Sequence, residues 1–309
     1  MITLVIPSRN RAHTLRIVGE SFYRQSRVSE IIFVLDASTD DSEAVIDGLA
    51  RAFPAIRTVV LKNDSRKGAP YNRIKGYKAA TNDFVAFSDD DTYIEPDYFD
   101  ICLQKLLATG AAFVSGRLVT KLPNQTFDQA IANFGNGTAD GSLLKPEICE
   151  LRHNVRFTGD VKLPFTVPVG VTRKELLERF SYDPFYCRGN GYREETDFQM
   201  NAFVNGYDII ATNDVHYVEL SRWENRSGGQ RMSRFAQFYW SIYYTNYFFG
   251  KYYEPYARRL GLKTGRRMAL VRFAIQHFYA LFIRPARRLP YLISLLAPKP
   301  AAAPQTPVQ

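Results

Sequence analysis

Three adjacent aspartates follow a short apolar run and are the residues of this sequence best suited to chemistry. Asp89, Asp90 and Asp91 come one serine after Phe84–Phe87. Four apolar residues between polar neighbours predict a buried strand of a mostly parallel sheet, and open α/β sheets bind ligands where such strands end. Adjacent carboxylates repel one another, whereas Mg²⁺ and Mn²⁺ take oxygen ligands of this kind together with substrate phosphates. The alternative is a solvated acidic turn, and other parts of the sequence are needed to choose between a metal site and such a turn.

A second acidic group lies at the start of a predicted helix, Glu194–Val204. Glu194, Glu195 and Asp197 are among its first four residues. They either stabilise the helix dipole, by about 0.3–1 kcal/mol each, or face a ligand cleft. A carboxylate in such a cleft can act as general base if it reaches a substrate hydroxyl. His216, on the last predicted strand, is either structural or a metal ligand.

Strands and helices alternate along the first 220 residues, which predicts βαβ units and a parallel sheet. Between residues 121 and 156 the periodicity fades, and the Gly- and Asn-rich stretch from Asn133 to Ser142 predicts a long loop. The predicted strands are Ile2–Pro7, Glu30–Asp36, Thr58–Leu61, Phe84–Phe87, Ala111–Val119, Phe165–Val171 and Tyr207–Tyr217. The predicted helices are Arg11–Gln25, Ser42–Phe53, Gly68–Ala80, Asp97–Thr109, Arg173–Phe180 and Glu194–Val204.

The charge of the chain is unevenly distributed. The 309 residues are 46% hydrophobic and 23% charged, which is ordinary for a folded protein of this size. The net charge is +9, but the stretch Lys251–Lys299 alone holds eleven Lys or Arg residues and one acid. This local basic character predicts a local anionic partner. No run of 18 apolar residues occurs, so no membrane span is predicted.

Five motifs, taken together in this order, resemble the inverting, nucleotide-sugar-dependent glycosyltransferases of family 2, which have the GT-A fold. They are IPSRNR, EIIFVLDASTD, the stretch from Gly68 to Gly76, FSDDD and GYREETDF. The resemblance covers about residues 1–220. It implies an α/β catalytic domain with a mostly parallel central sheet flanked by helices. We expect a nucleotide-binding half at 1–120, an acceptor half at 121–220, a basic and aromatic helical extension at 221–298 and a disordered tail at 299–309.

The resemblance also implies roles for individual residues. Asp91 and Asp89 would bind Mn²⁺ or Mg²⁺, with His216 completing the metal or phosphate site. Glu195 matches the general-base position, where the family more often has Asp, and Asp197 is the alternative base. Leu35 stands where the family has the first of two acids, and Ile74 replaces the usual Asn. The implied nucleotide-sugar contacts are Pro7, Ser8, Arg9, Asp36, Arg73, Asp89 and Asp90.

The implied reaction moves a sugar from a nucleoside-diphosphate sugar to a hydroxyl acceptor with inversion. A carboxylate base would deprotonate the hydroxyl, and a divalent ion would stabilise the leaving diphosphate. UDP-sugars are the commonest donors of the family, and GDP- and dTDP-sugars also occur. We expect a lipid-linked or cell-surface glycan as acceptor. The enzyme would then be cytoplasmic and peripheral on the inner face of the cell membrane.

Three segments after residue 220 each allow two interpretations. An arginine-rich loop around a Gly pair, with Arg222, Arg226, Arg231 and Arg234, either folds over the donor diphosphate or is a solvated loop. Phe235–Tyr253 is aromatic-rich and predicted helical, and it is either part of the core or a platform for the acceptor. Ala269–Ile283 is apolar with flanking arginines, which predicts either an interfacial helix on anionic lipid or a helix docked on the catalytic domain.

Other function classes fit the sequence less well. A nucleotidyltransferase that makes nucleotide sugars usually has a Gly-rich loop after its first strand, where this chain has Pro7-Ser8-Arg9-Asn10. A nucleic-acid partner is not predicted, because the basic segment is apolar between its charges. A processive synthase is disfavoured, because Gln230 does not begin a Q-x-x-R-W motif. A non-catalytic nucleotide-sugar binder remains an alternative, since Glu195 is an atypical base.

Overall fold

Strands and helices alternate in the first 120 residues, as the sequence predicts. The structure is a computed structural model of the chain, and it describes residues 1–135, 142–152, 157–221, 223–225 and 232–285. The elements in this half are β1 (Ile2–Ser8), α1 (Ala12–Tyr23), β2 (Val28–Asp36), α2 (Ser42–Ala52), β3 (Arg57–Asn63), α3 (Ala69–Ala79), β4 (Phe84–Phe87), β5 (Thr92–Ile94), α4 (Tyr98–Thr109) and β6 (Phe113–Thr120).

The second half has shorter strands and longer helices. Its elements are α5 (Phe127–Gly135), β7 (Leu144–Lys145), β8 (Glu150–Leu151), β9 (Asp160–Leu163), β10 (Gly170–Arg173), α6 (Lys174–Phe180), α7 (Glu194–Val204), β11 (Ile209–Glu219), α8 (Arg234–Leu260) and α9 (Arg266–Phe278). Short 3₁₀ turns lie at Pro146–Ile148 and Pro184–Cys187, and one π-helical turn, Tyr279–Ile283, continues α9.

Two sequence predictions are wrong in this half. The loop expected from Asn133 to Ser142 begins later, because α5 extends to Gly135 and its residue Ala130 packs with apolar neighbours against Val119 of β6 and Val218 of β11. Residues 136–141 of that loop lie outside the described residues. A strand was expected at Phe165–Val171, but β10 pairs with β4 only over Gly170–Arg173. The preceding apolar residues are buried outside the strand ladder, where Pro168 could not donate a ladder hydrogen bond.

The main sheet has the strand order β3-β2-β1-β4-β10-β6-β11-β5, with β9 also paired to β11. Strands β1 to β4 run parallel, as do β6 and β11, whereas β10, β5 and β9 run antiparallel to their neighbours. The predicted mostly parallel sheet is therefore confirmed. The chain adds β2 and β3 on one side of β1 and β4 on the other, so a crevice forms beyond the carboxyl ends of β1 and β4.

Apolar side chains fill both faces of the sheet. Helices α1 and α4 bury residues such as Phe22 and Phe99 on one face. On the other face Phe198 of α7 and Phe248 of α8 lie in one cluster with Val5 and Phe87 of the sheet. Each fully buried side chain of this size stabilises the fold by about 1.5–3 kcal/mol. Helix α8 therefore shares a hydrophobic core with the main sheet.

The aromatic segment that begins at Phe235 forms the long helix α8. Its inward residues include the fully buried Tyr244, Tyr253 and Tyr256, which are core residues. Across the described part of the chain, no helix combines the length and the apolar character that a bilayer crossing requires. The predicted tail at 299–309 and the loop residues Arg222, Arg226 and Arg231 lie outside the described residues, whereas Arg234 is the first residue of α8.

Candidate active site

The three aspartates form the turn between β4 and β5, in the crevice beyond β1. Asp90 and Asp91 are mostly buried, and the Arg11 guanidinium lies 3.5 Å from a carboxylate oxygen of each. Burial raises the pKa of Asp90 to about 7 even though Arg11 acts against it. Burial and the neighbouring Asp89 raise the pKa of Asp91 to about 6. One guanidinium therefore does not offset the negative charge gathered at this turn.

Arg73 of α3 connects this turn to the start of α7. Its side chain is 2% exposed, and Nη2 lies 3.0 Å from Asp89 Oδ1 and 3.2 Å from Glu195 Oε1. It also forms an ion pair with Glu194. The resemblance implies that Arg73 faces a diphosphate, but the structure places its guanidinium against three carboxylates. The four side chains come from three separate elements, so Arg73 holds the site together.

The first turn of α7 presents two glutamates to the same crevice. Burial raises the pKa of Glu194 to about 8 despite the adjacent Arg73. Burial likewise raises the pKa of Glu195, with Arg73 acting against it and Asp89 adding to it. Such shifts favour carboxylates that can take up a proton near neutral pH.

Arg193, immediately before α7, fixes where that helix begins. Its backbone has φ +80°, and its buried guanidinium lies 2.6 Å from Glu150 Oε1 and 2.5 Å from the Cys149 carbonyl oxygen. Its Nε also donates to the Thr245 hydroxyl of α8 at 3.3 Å. Sequence reasoning did not identify Arg193, because its partners are more than 40 residues away along the chain.

Asp197, the alternative base, contacts α8 and not the larger cavity that the two glutamates line. Both of its carboxylate oxygens lie 2.8 Å from Lys251 Nζ, and the hydroxyls of Tyr186 and Tyr252 donate to it at 2.8 and 3.0 Å. Asp197 is absent from the lining of the cavity that contains Glu195. Its surroundings are those of a structural ion pair between α7 and α8.

Two adjoining cavities open at this site. The smaller cavity, of about 410 Å³, is lined by Pro7, Ser8, Arg9 and Asp36, four of the predicted nucleotide-sugar contacts. The larger cavity, of about 780 Å³, is lined by residues that include Asp89, Asp91 and Glu195. The two share part of their lining, namely Arg11, Asp90, Asn190, Gly191 and Glu194.

Asp36 organises the wall of the smaller cavity. It accepts hydrogen bonds from the backbone N–H groups of Lys67 at 2.8 Å and Gly68 at 2.9 Å, and from Asn63 Nδ2 at 3.0 Å. Burial acts to raise the pKa of Asp36, but these hydrogen bonds outweigh it and lower the pKa. Asp36 therefore stays ionised and holds the start of α3 against β2.

His216 lies apart from the carboxylates of the larger cavity, whereas Glu219 lies among them. The His216 ring and backbone N–H contact Glu95 at 3.2 and 2.7 Å, and His216 lines neither cavity. Glu219 pairs with Thr92 across β11 and β5 and lines the larger cavity. Burial, Asp91 and Asp89 raise its pKa to about 7. No motif marks Glu219, since its position depends on strand pairing.

The carboxylates of the larger cavity suit a hard divalent cation in donor type. Within the described ranges, no group of three or more His, Cys, Asp or Glu side chains is arranged to hold a metal ion. Even so, burial and neighbouring negative charge raise the pKa values of both Asp91 and Glu219. A bound cation would relieve that repulsion, and oxygen ligands are those that Mg²⁺ and Mn²⁺ prefer.

Comparison with known proteins decides the family. The sequence model of glycosyl transferase family 2 matches residues 3–181. The chain belongs to this family. Among its relatives, the uncharacterized glycosyltransferase YaiP of Escherichia coli (strain K12) is 35% identical over 214 residues, 69% of this chain and 50% of YaiP. The putative glycosyltransferase EpsH of Bacillus subtilis (strain 168) is 33% identical over 110 residues, 35% of this chain and 30% of EpsH. The matches thus span half or less of these relatives' length.

Solved structures confirm the GT-A fold for this family 2 chain. The mannosyltransferase PcManGT from Pyrobaculum calidifontis, solved with GDP-Man and Mn²⁺, has a TM-score of 0.57 and 18% identity, and the match covers 96% of this chain and 80% of PcManGT. S. aureus TarS 1-349 in complex with UDP-GlcNAc has a TM-score of 0.57 and 16% identity, over 90% of this chain and 72% of TarS 1-349. The family and fold implied by the five motifs are both confirmed.

Proposed function

We propose that this family 2 protein is an inverting, metal-dependent glycosyltransferase that uses a nucleoside-diphosphate sugar. The observation that carries the proposal is the pair of adjoining cavities with Asp90 and Glu194 in their shared wall. Both cavities have volumes typical of small-molecule sites. A nucleoside in the smaller cavity would direct its sugar toward the carboxylates of the larger one.

Charge supports the placement of the diphosphate. Arg9, Arg66 and Arg188 line the smaller cavity, and guanidinium groups bind phosphate oxygens through paired hydrogen bonds. Asp36 lies in the same wall, next to the start of α3. Two solved structures with this fold, TarS 1-349 and PcManGT, are complexes with UDP-GlcNAc and GDP-Man, respectively. A UDP-sugar is the first donor to test, followed by GDP- and dTDP-sugars.

Glu195 is the proposed general base. It lines the larger cavity, and burial raises its pKa, which suits proton uptake near neutral pH. As the acceptor oxygen forms a bond to the anomeric carbon, its proton passes to the Glu195 carboxylate. The bond from that carbon to the diphosphate oxygen breaks, and the leaving diphosphate takes the electron pair. One direct displacement inverts the anomeric centre.

Asp89, Asp91 and Glu219 are the proposed holders of Mn²⁺ or Mg²⁺. Glu219 replaces His216 in this proposal, because Glu219 faces the aspartates and His216 faces Glu95. A bound ion would act as a Lewis acid on the leaving diphosphate. Arg73 contacts both Asp89 and Glu195, so it would hold the metal site and the general base in fixed positions relative to each other.

The acceptor is proposed to be a hydroxyl of a lipid-linked or cell-surface glycan. The larger cavity extends past the carboxylates to Phe165, Tyr192 and Gln237. Aromatic faces and amide groups of this kind suit a sugar ring, which has both apolar C–H faces and hydroxyls.

Release of nucleoside diphosphate from a panel of nucleotide sugars, with Mn²⁺, Mg²⁺ or EDTA, tests the proposal. We expect metal-dependent release from one donor class, lost in Asp91→Asn and retained in His216→Ala. Acceptor-free hydrolysis is slow in some transferases, so thermal stabilisation by each donor with metal is measured in parallel. Absence of both signals for every donor would overturn the proposal, and stabilisation without turnover in any acceptor mixture would favour a non-catalytic binder.

A further inference from the structure

The outward face of α9 carries a stripe of exposed apolar side chains. Met268, Val271, Ile275, Phe278 and Tyr279 are between 44% and 66% exposed. Their spacing of three, four, three and one residues places them on one side of a helix. The opposite side of α9 buries Ala269 and Phe273 in the core. An ordinary surface helix has a polar outer face, so this one is unusual.

The apolar surface continues onto the start of α8. Phe235 is 75% exposed, and its ring centroid lies 5.0 Å from that of Phe282, in the turn after α9. Tyr239 and Tyr243 follow at four-residue spacing and are also exposed. We call this combined surface of α9 and the start of α8 the apolar face. Exposed apolar surfaces of this extent mark binding sites for proteins or membranes.

Positive charge surrounds the apolar face. The described residues 261–285 include no Asp or Glu, and their five cationic side chains are all exposed. These are Lys263, Arg266, Arg267, Arg272 and Arg284. Arg272 pairs with Glu147, which lies outside this segment. Apolar residues flanked by exposed arginines complement a bilayer surface, where anionic head groups lie above acyl chains.

The apolar face adjoins residues that line the larger cavity. Gln237, which lines that cavity, lies between Phe235 and Tyr239 on the first turns of α8. Asn190, another lining residue, donates to the Ser241 hydroxyl of the same helix at 3.1 Å. A surface that contacts this part of α8 would therefore lie close to the larger cavity.

We propose that the apolar face docks on the surface of an anionic lipid bilayer, with α9 lying in the head-group region. A second copy of the chain is a poorer occupant, because two like-charged surfaces would face each other. A nucleic acid would leave the apolar side chains without a partner. Docking does not depend on the proposed function, but it would bring the larger cavity within reach of a lipid-borne acceptor.

Flotation of the full chain with vesicles tests the proposal. One set of vesicles is phosphatidylcholine, and the other is a mixture with phosphatidylglycerol. We expect binding to the anionic vesicles that weakens as salt is raised, and little binding to the neutral ones. The double variant Val271→Glu with Ile275→Glu should lower binding by about tenfold or more. Each of Arg267→Gln and Arg284→Gln should lower it by about fivefold, and less at high salt.

The matched control is Ile17→Glu with Leu107→Glu. These two side chains are exposed apolar residues of α1 and α4, so the change in charge is the same on a different surface. The control should bind anionic vesicles like the unmodified chain. Thermal unfolding of each variant checks that the fold is retained.

Three outcomes would overturn the proposal. The first is failure of the unmodified chain to float with anionic vesicles, and the second is an equal loss of binding in the control and in the α9 variant. The third is a dimer in size-exclusion chromatography that only the α9 variant abolishes, which would make the apolar face an interface between copies. Nucleoside-diphosphate release with a soluble acceptor should be unchanged in the α9 variant, so a failure of docking is distinguishable from a failure of the proposed chemistry.

Discussion

Lys251 Nζ lies 2.8 Å from both carboxylate oxygens of Asp197, which joins the long C-terminal helix α8 to the helix that carries Glu195. The same ammonium group lies 2.9 Å from Asp183 Oδ2. The Asp197 side chain is only 2% exposed. Removal of one partner of a buried pair leaves an uncompensated charge, which is far more costly than loss of a surface pair. The position of Glu195 therefore depends on Lys251 of α8, and both residues lie beyond the family-matched segment 3–181.

The first prediction concerns this ion pair. Lys251→Met should lower the free energy of unfolding by about 3–5 kcal/mol, because Asp197 would stay buried without its cation. The matched control is Lys162→Met, which removes a largely exposed lysine paired with Asp208 and should cost at most about 1 kcal/mol. Urea unfolding measures both. Equal costs for the two variants would contradict a buried structural role for the pair.

The second prediction separates the two candidate bases. Glu195→Gln should lower turnover by about 10²–10⁴-fold with little change in donor affinity, because it removes the proton acceptor while keeping the side-chain shape. Asp197→Asn should mainly lower stability, since its carboxylate contacts Lys251 and two tyrosines. The measurements are donor-dependent thermal stabilisation, turnover and urea unfolding. A stable Asp197→Asn protein without turnover would instead make Asp197 the base.

Local patterns were sufficient to predict the part of the fold that positions the aspartates. The apolar run Phe84–Phe87 forms β4 within the predicted bounds, and α4 ends at Gly110 in the left-handed conformation expected of a C-cap. Helix α7 likewise has the predicted bounds, Glu194–Val204. In each case the residues that determine the element are adjacent in sequence, so periodicity and end signals are sufficient.

Long-range contacts could not be predicted in the same way. Arg73 and Glu194 are 121 residues apart, and only the tertiary fold brings their side chains together. Glu219 reaches the aspartates because β11 pairs with β5, a pairing that no motif records. The resemblance pointed to His216 on the same strand. His216 and Glu219 are only three residues apart on β11, yet the His216 side chain faces Glu95 and the Glu219 side chain faces the aspartates.

The third prediction concerns Arg73. Arg73→Met should lower the free energy of unfolding by about 3–5 kcal/mol, because three carboxylates would lose their shared cation. Arg73→Lys should recover only part of this, since an ammonium group cannot reproduce the planar fork that contacts Asp89 and Glu195. Arg16→Met, at an exposed pair with Asp41, is the control. Full stability of Arg73→Lys would show that charge alone suffices.

The fourth prediction concerns Gly68, at the wall of the smaller cavity. Its φ of +91° suits glycine, and an added Cβ would lie 2.6 Å from the Cys187 carbonyl oxygen. Gly68→Ala should therefore lower the free energy of unfolding by about 1–3 kcal/mol. It should also displace the Gly68 N–H group, which donates a hydrogen bond to Asp36. We expect weaker binding of nucleoside diphosphate, measured by calorimetry. Gly48→Ala has open space around it and is the control. Unchanged nucleotide affinity in Gly68→Ala would argue against the smaller cavity as the donor site.

The fifth prediction separates Glu219 from His216 as a metal ligand. Glu219→Gln should weaken Mn²⁺ binding in the presence of donor by at least about tenfold, because it removes one of the carboxylates facing the ion. His216→Ala should leave Mn²⁺ affinity unchanged, since its ring contacts Glu95 outside both cavities. Calorimetric titration with Mn²⁺ after EDTA treatment measures each affinity. Loss of Mn²⁺ binding in His216→Ala, with Glu219→Gln unaffected, would restore His216 as the ligand and place the ion nearer Glu95.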